Sequence, residues 1–429
     1  MKKFIFSALL LFSVMILAAA QLDMMPNEFR TYKVGETVTF TATAWGNDNK
    51  KLTSGSCVVT LKENGSKVIG KKILLDFAKN NPATFTAKLD RPGFILAEAG
   101  VCKLPDGKIL KWKTRPLPPN GGAAVEPEKI RTMTATPDDF DEFWAKGIEE
   151  FKNAKITITP AADIKREGYK VSRVLVEFPD KTGAIDGFLS VPDKPGKYPA
   201  IVGVPGAGAG TVAPVPYLAN QVTAIQLWLN VHTFRTEKTI ELQRKSYARY
   251  RKSFKTGDYF KENAENRDKY LYRNVWLAVS RAADAVAQME EFNGKMAACG
   301  NSQGGGTAIV LAYLNKNIVA AAASVPALAD HDGWKAQRQA GWPQLHKVLR
   351  GKADKAYAYF DTAVFAGKVK VPMLITVGFI DTTCSPSSVY SAYNALPGKK
   401  EIYHMYRNSH KISADSKVRI EEFIRQNLK

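Results

Sequence analysis

The stretch KMAACGNSQGGGTAIVLAYL, residues 295 to 314, constrains the fold more than any other part of the chain. A short apolar run enters Gly300-Asn301-Ser302-Gln303-Gly304, and a longer apolar run leaves it. This is G-x-S-x-G between a strand and a helix, a sharp and strained turn that lifts a serine hydroxyl above the carboxyl edge of a sheet. The glycines two before and two after the serine leave room for the backbones to pack closely. A buried strand must therefore lie beneath Ser302, with a helix directly behind it.

The surrounding sequence supplies such a sheet. YKVSRVLVEF, AIDGFLSV, YPAIVGVPG, AIQLWLNV, GKMAACG, IVAAAASV, VPMLITVGF and EIYHMYR read as strands. Helical stretches separate most of the later ones, including YLYRNVWLAVSRAADAVAQMEEF and the terminal ADSKVRIEEFIRQNL. Near-continuous apolar strands alternating with helices predict a mainly parallel sheet covered by helices on both faces, an α/β fold, over residues 130–429. Its first helix is expected in TATPDDFDEFWAKGIEEF, with Thr136 as cap, Pro137 at the first helical position, and Phe140, Phe143, Trp144, Ile148 and Phe151 on one face.

Ahead of it the pattern changes. Residues 26–114 alternate with period two and are rich in Thr and Val, as in ETVTFTATAW and ATFTAKL, which predicts a small antiparallel β-sandwich of immunoglobulin-like size. Trp45 and Trp112 there are of a kind that stacks on sugars or fills a core. Cys57 and Cys102 either bridge two strands or stay free and buried; both readings are open. The Pro- and Gly-rich RPLPPNGGAAVEPEK, 115–129, reads as a linker. Residues 1–20 combine Lys2 and Lys3, an apolar run and three alanines, the pattern of a cleaved signal peptide, so a periplasmic or secreted protein is expected. No later segment is apolar enough to span a bilayer.

The formal charge of +20 is carried by dispersed lysines rather than a dense basic arm, which argues against nucleic acid as a partner. No CxxC or Cys/His spacing suggests a metal.

A lone G-x-S-x-G needs partners. In α/β-hydrolases the order is serine, acid, histidine. Asp381 follows the strand LITVGF, and His410 follows the next strand ahead of the final helix, both at carboxyl ends where open sheets build sites. Of the other histidines, His404 lies inside a strand pattern, and His232, His331 and His346 lie outside the position that this order requires. Ser302, Asp381 and His410 are therefore the candidate triad. The N–H of Gln303 and that of Ala207, in the loop GVPGAGAG, are the candidate oxyanion donors. That loop does not carry a phosphate-binding or dinucleotide fingerprint.

TPDDFDEFW, YLYRNVWLAVSRAADAV, CGNSQGGGTAIVLA and VGFIDTTCSPSSVYSAYNAL together resemble the acetyl xylan esterase and cephalosporin-C deacetylase family of α/β-hydrolases. The resemblance implies deacetylation of xylan or related oligosaccharides by a metal-free, cofactor-free serine mechanism, with Ser302, Asp381 and His410 as triad and Ala207 and Gln303 as oxyanion donors. Two departures stand out. The family's Arg-Gly-Gln is replaced by HTFRTEK, and its His-Glu by His410-Lys411, so substrate shape and oligomeric state do not carry over. Asp330, His331, Trp334 and Trp342 are candidate pocket residues, with a buried Trp and a surface Asp-His pair as the competing reading. A prolyl oligopeptidase-type serine peptidase and a non-catalytic polysaccharide-binding protein are the alternatives to an esterase.

Overall fold

Two hydrogen-bonded sheets organise the chain in a computed structural model that describes residues 19–113, 119–209, 222–349 and 355–429. The expected signal peptide lies outside the described residues except for Ala19 and Ala20, which open the first strand beside Lys111 and Trp112.

Ten strands form the first network: β1 (Ala19–Pro26), β2 (Thr31–Tyr32), β3 (Val38–Trp45), β4 (Ser56–Glu63), β5 (Lys67–Val68), β6 (Ile73–Asp76), β7 (Ala83–Ala87), β8 (Gly93–Lys103), β9 (Ile109–Trp112) and β10 (Asn120–Val125). The period-two pattern decides their faces, since Val38, Phe40, Ala42 and Ala44 of β3 and Ala83, Phe85 and Ala87 of β7 are all buried. β1, β3 and β7 pair antiparallel, and so do β10, β8 and β4; a two-residue parallel pairing of β1 with β9 joins the groups. Residues of both groups, among them Phe40, Phe85, Ile95 and Ala97, share one core. Cys57 and Cys102 face each other across β4 and β8 as buried free thiols.

The expected linker is corrected here. Its second half is β10, a strand of the first domain paired with β8 along its whole length. Glycine is required because β10 passes between two packed layers. A Cβ at Gly121 would lie 2.8 Å from the Met24 carbonyl, and one at Gly122 would lie 2.5 Å from that of Phe379 in the second domain.

The second sheet has nine strands: β11 (Ile156–Pro160), β12 (Tyr169–Glu177), β13 (Ala184–Pro192), β14 (Tyr198–Val204), β15 (Ile225–Leu229), β16 (Phe292–Asn301), β17 (Ile318–Ser324), β18 (Met373–Gly378) and β19 (Lys400–Met405). Their order is β11-β12-β13-β15-β14-β16-β17-β18-β19, antiparallel up to β15 and parallel from there on. The helices are α1 (Phe140–Phe151), α2 (Ile240–Lys252), α3 (Leu271–Ala287), α4 (Gln303–Leu314), α5 (Leu345–Leu349), α6 (Thr362–Ala366), α7 (Pro386–Ala395) and α8 (Ala414–Leu428). Alternate strand residues serve opposite faces: Met296 and Ala298 join α3 and α4 in the main core, while Ala297 and Cys299 pack with Ile420, Phe423 and Ile424 of α8. Among the described residues no helix is long and apolar enough to cross a membrane.

Helix α1 begins at Phe140 with Asp139 at its cap, three residues later than Thr136 and Pro137 suggested. Ile148 is exposed rather than inward. Gly147 takes the contact instead, approaching Leu277 of α3 so closely that a Cβ would lie 2.8 Å from it.

Candidate active site

Four loops at the carboxyl edge of the parallel strands converge. Ser302 follows β16 with φ 57° and ψ −118°, a conformation that non-glycine residues rarely adopt. Packing holds it there. Its N–H donates to the Ser324 carbonyl at 2.9 Å, and its own carbonyl accepts from Gly306 and Ala327 at 2.9 and 3.0 Å. The flanking glycines are obligatory, because a Cβ at Gly300 would lie 2.3 Å from the Gly304 carbonyl and one at Gly304 would lie 2.1 Å from that of Val204.

Asp381 follows β18. Its Oδ1 accepts the N–H groups of Thr383 and Cys384 at 2.7 and 3.0 Å. Its Oδ2 lies 2.8 Å from Nδ1 of His410. The loop after β19 reaches this point because Gly378 has no side chain; a Cβ there would be 2.4 Å from the Ser409 carbonyl. Nε2 of His410 is 2.8 Å from Ser302 Oγ. The carboxyl group is inaccessible to solvent, whereas the imidazole is a quarter exposed. In the tautomer whose Nδ1–H donates to the carboxylate, Nε2 faces the Ser302 hydroxyl as a hydrogen-bond acceptor.

The loop after β14 closes the other side. Gly206 borders Asn301 and Ser302, with a Cβ position 3.4 Å from that of the serine, and Ala207 follows it. Gln303 is the first residue of α4, so its N–H is among the donors without an intrahelical partner. Its buried side chain is clamped, as Oε1 accepts from Tyr259 and Tyr272 at 2.6 and 2.7 Å. Both tyrosines were missed by sequence reasoning, although Tyr272 sits in the quoted YLYRNVW stretch. The segment that departs from Arg-Gly-Gln lies behind this clamp: His232 packs edge-on against Tyr259 with ring centroids 4.9 Å apart. Burial among Phe234, Tyr247, Tyr250 and Tyr259 pulls its pKa down to about 3.

The proposed pocket residues separate. Asp330 and His331 are fully buried and cannot line a cleft open to substrate. Asp330 accepts from Arg338 at 2.8 Å and from the Met133 N–H at 2.8 Å, fastening the start of the second domain to this loop. The amides of Asp330 and His331 both donate to Asp361, whose pKa burial raises to about 6. Trp334 is half-exposed and stacks on His346, and Trp342 packs on Phe260 while its N–H donates to the Thr383 carbonyl at 3.1 Å. His404 bonds the Tyr390 hydroxyl from within β19. A cleft of about 620 Å³ that includes Ile148, Leu277, Arg281 and Asn317 shares no residue with the Ser302 site.

Residues 126–426 match the family described as Acetyl xylan esterase (AXE1). The acetyl esterase Axe7A of Xylanibacter ruminicola is 29% identical over 284 residues, which is 64% of this chain and 64% of that protein, a little under two thirds of its length. The fold is similar to an acetyl xylan esterase from Paenibacillus sp. R4 (TM-score 0.60, 21% identity, 71% of this chain and 99% of that one). It is also similar to acetyl xylan esterase 1 from Thermoanaerobacterium sp. JW/SL YS485 (TM-score 0.57, 19% identity, 70% and 98%).

Proposed function

The chain belongs to the acetyl xylan esterase family, and on that premise we propose that it is an exported serine carbohydrate esterase that removes acetyl groups from xylan or related oligosaccharides. One observation carries the reading: an unbroken hydrogen-bond line from Asp381 through His410 to Ser302, both links 2.8 Å. Ser302 Oγ attacks the ester carbonyl while His410 Nε2 takes its proton; Asp381 keeps the imidazole in the productive tautomer and balances its charge. The N–H groups of Gln303 and Ala207 receive the negative charge that develops on the carbonyl oxygen. His410 then returns the proton to the departing sugar alcohol, and water attacks the acetyl-serine by the same route to release acetate.

The test is hydrolysis of 4-nitrophenyl acetate by wild type and Ser302→Ala, followed by acetate release from acetylated xylan. Ser302→Ala is expected to lower kcat by about 10⁴- to 10⁶-fold. An alanine variant as active as wild type would sink the serine mechanism. Hydrolysis of the nitrophenyl ester without acetate release from xylan would keep the mechanism and overturn the substrate.

A further inference from the structure

Besides packing on Phe379, the N-terminal β domain is hydrogen-bonded to residues 337–342, a segment that in turn hydrogen-bonds the loop of Asp381. On the domain side, Gln339 N–H donates to the Asn64 carbonyl at 3.2 Å, and Arg91 Nη2 donates to Gln337 Oε1 at 3.0 Å. Asn64 is firmly held, being buried and exchanging hydrogen bonds with both the N–H and the carbonyl of Phe94 at 2.9 and 2.7 Å. Arg91 is in turn fixed by a two-point pairing with the buried carboxylate of Glu63. Gly65 faces Gln339 so closely that a Cβ would lie 2.8 Å from its Oε1.

On the catalytic side, Gln339 Nε2 donates to the Thr382 carbonyl at 2.5 Å, Trp342 N–H donates to the Thr383 carbonyl at 3.1 Å, and Ser385 Oγ donates to the Gln339 carbonyl. The covalent chain gives these contacts their meaning. The Thr382 carbonyl and the Thr383 N–H belong to one peptide group, and the Thr383 carbonyl and the Cys384 N–H to the next. Those two N–H groups are the ones that hold Asp381 Oδ1. Each peptide is therefore bonded at its oxygen end by the 337–342 segment and at its nitrogen end by the carboxylate, an arrangement in which each hydrogen bond polarises the next.

We propose that the N-terminal β domain is a working part of the active site, with Gln339 as the positioning residue that fixes Asp381 through the Thr382–Thr383 peptide, the first of these two groups. The proposal rests on the Ser302–His410–Asp381 reading given above. Without the Nε2 donor the Thr382–Thr383 peptide is free to tilt, the carboxylate loses its fixed seat, and His410 loses its orientation. Substrate contacts are untouched, so the loss falls on kcat rather than KM.

Gln339→Leu removes the donor at similar volume, and Gln339→Asn keeps an amide that is one carbon too short to reach; Gln339 is only partly buried. Both variants are expected to lower kcat on 4-nitrophenyl acetate by about tenfold with KM within about twofold, the scale of one well-placed hydrogen bond. The downfield proton NMR resonance of the Asp381–His410 hydrogen bond is expected to shift with them. The domain's part is read from Gly65→Ala against Gly107→Ala. Both sites have positive φ, 69° and 81°, but only the first Cβ meets Gln339, the second lying in open space. Gly65→Ala should lower kcat severalfold and Gly107→Ala should not. Wild-type kcat and an unmoved resonance in whichever Gln339 variant folds would overturn the positioning role, and equal kcat for the two glycine variants would overturn the domain's part. If Ser302→Ala is inactive while the Gln339 variants are normal, this proposal fails and the triad stands; an active Ser302→Ala removes the triad itself.

Discussion

At the scale of single residues, burial sets the acid behaviour of the protein. His232 and His331 are buried with pKa values pulled down to about 3 and about 4. Unfolded, both titrate near the ordinary value of about 6.5, so between about pH 6 and 4.5 the unfolded chain holds two protons that the native state lacks. Stability from these two residues is fully present above that window and is lost as pH falls through it. Asp361 acts in the opposite sense: burial raises its carboxyl to about 6, so in the same window the native state holds a proton that the unfolded chain has released. These three groups leave a difference of about one proton, or roughly 1.4 kcal/mol per pH unit. The urea midpoint is expected to fall from pH 6.5 to pH 5. In His232→Phe, whose new ring would sit among Phe234, Tyr247, Tyr250 and Tyr259, the fall should be shallower by about one proton, while His331 and His346, both pulled down to about 4, keep part of it. An equally steep fall in that variant would mean that His232 already carries its proton when folded. The sequence gives no hint of this behaviour, because burial is a property of neighbours. That Ser302, Asp381 and His410 lie within hydrogen-bond reach of one another was legible for the opposite reason: each follows a recognisable apolar strand, and their order along the chain is a rule of the fold.

Among the elements, β3 and β7 could be read from alternation alone, since each buries one face while the other is half-buried in β3 and exposed in β7. β10 could not. It is pressed between Met24 and Phe40 on one side and Phe379 on the other, and that crowding selects Gly121 and Gly122, the residues that in isolation signal a connector. Gln339 was hidden likewise, as its partners Asn64 and Thr382 are remote in sequence. β8 shows how far the two domains share an interior. Phe94 is buried against Phe379 and Tyr390, with ring centroids 5.4 and 5.5 Å away, and belongs to the core of the second domain rather than its own. Phe94→Ala is expected to cost about 3–5 kcal/mol in urea unfolding, as for any large core aromatic. A cost below about 1 kcal/mol would mean that the aromatic contact is dispensable.

For the whole molecule, these contacts predict one unfolding event. Asp23 pairs with Arg407 at 3.6 Å and Phe29 packs on Tyr406, so the β domain meets the second domain on the side that carries Asp381 and His410. Calorimetry of the full chain should show a single transition; two resolved transitions would mean that the domains melt independently. The same interleaving has a consequence for synthesis. The ring of Phe94 leaves the ribosome about 285 residues before that of Phe379, a wait of roughly 15–60 s at ordinary elongation rates. During that interval the first domain is a half-finished surface, its apolar side turned outward with nothing yet made to meet it. The growing chain thus passes through a sticky stage whose length is set by translation speed, and the partner that ends it is the last quarter of the same polypeptide.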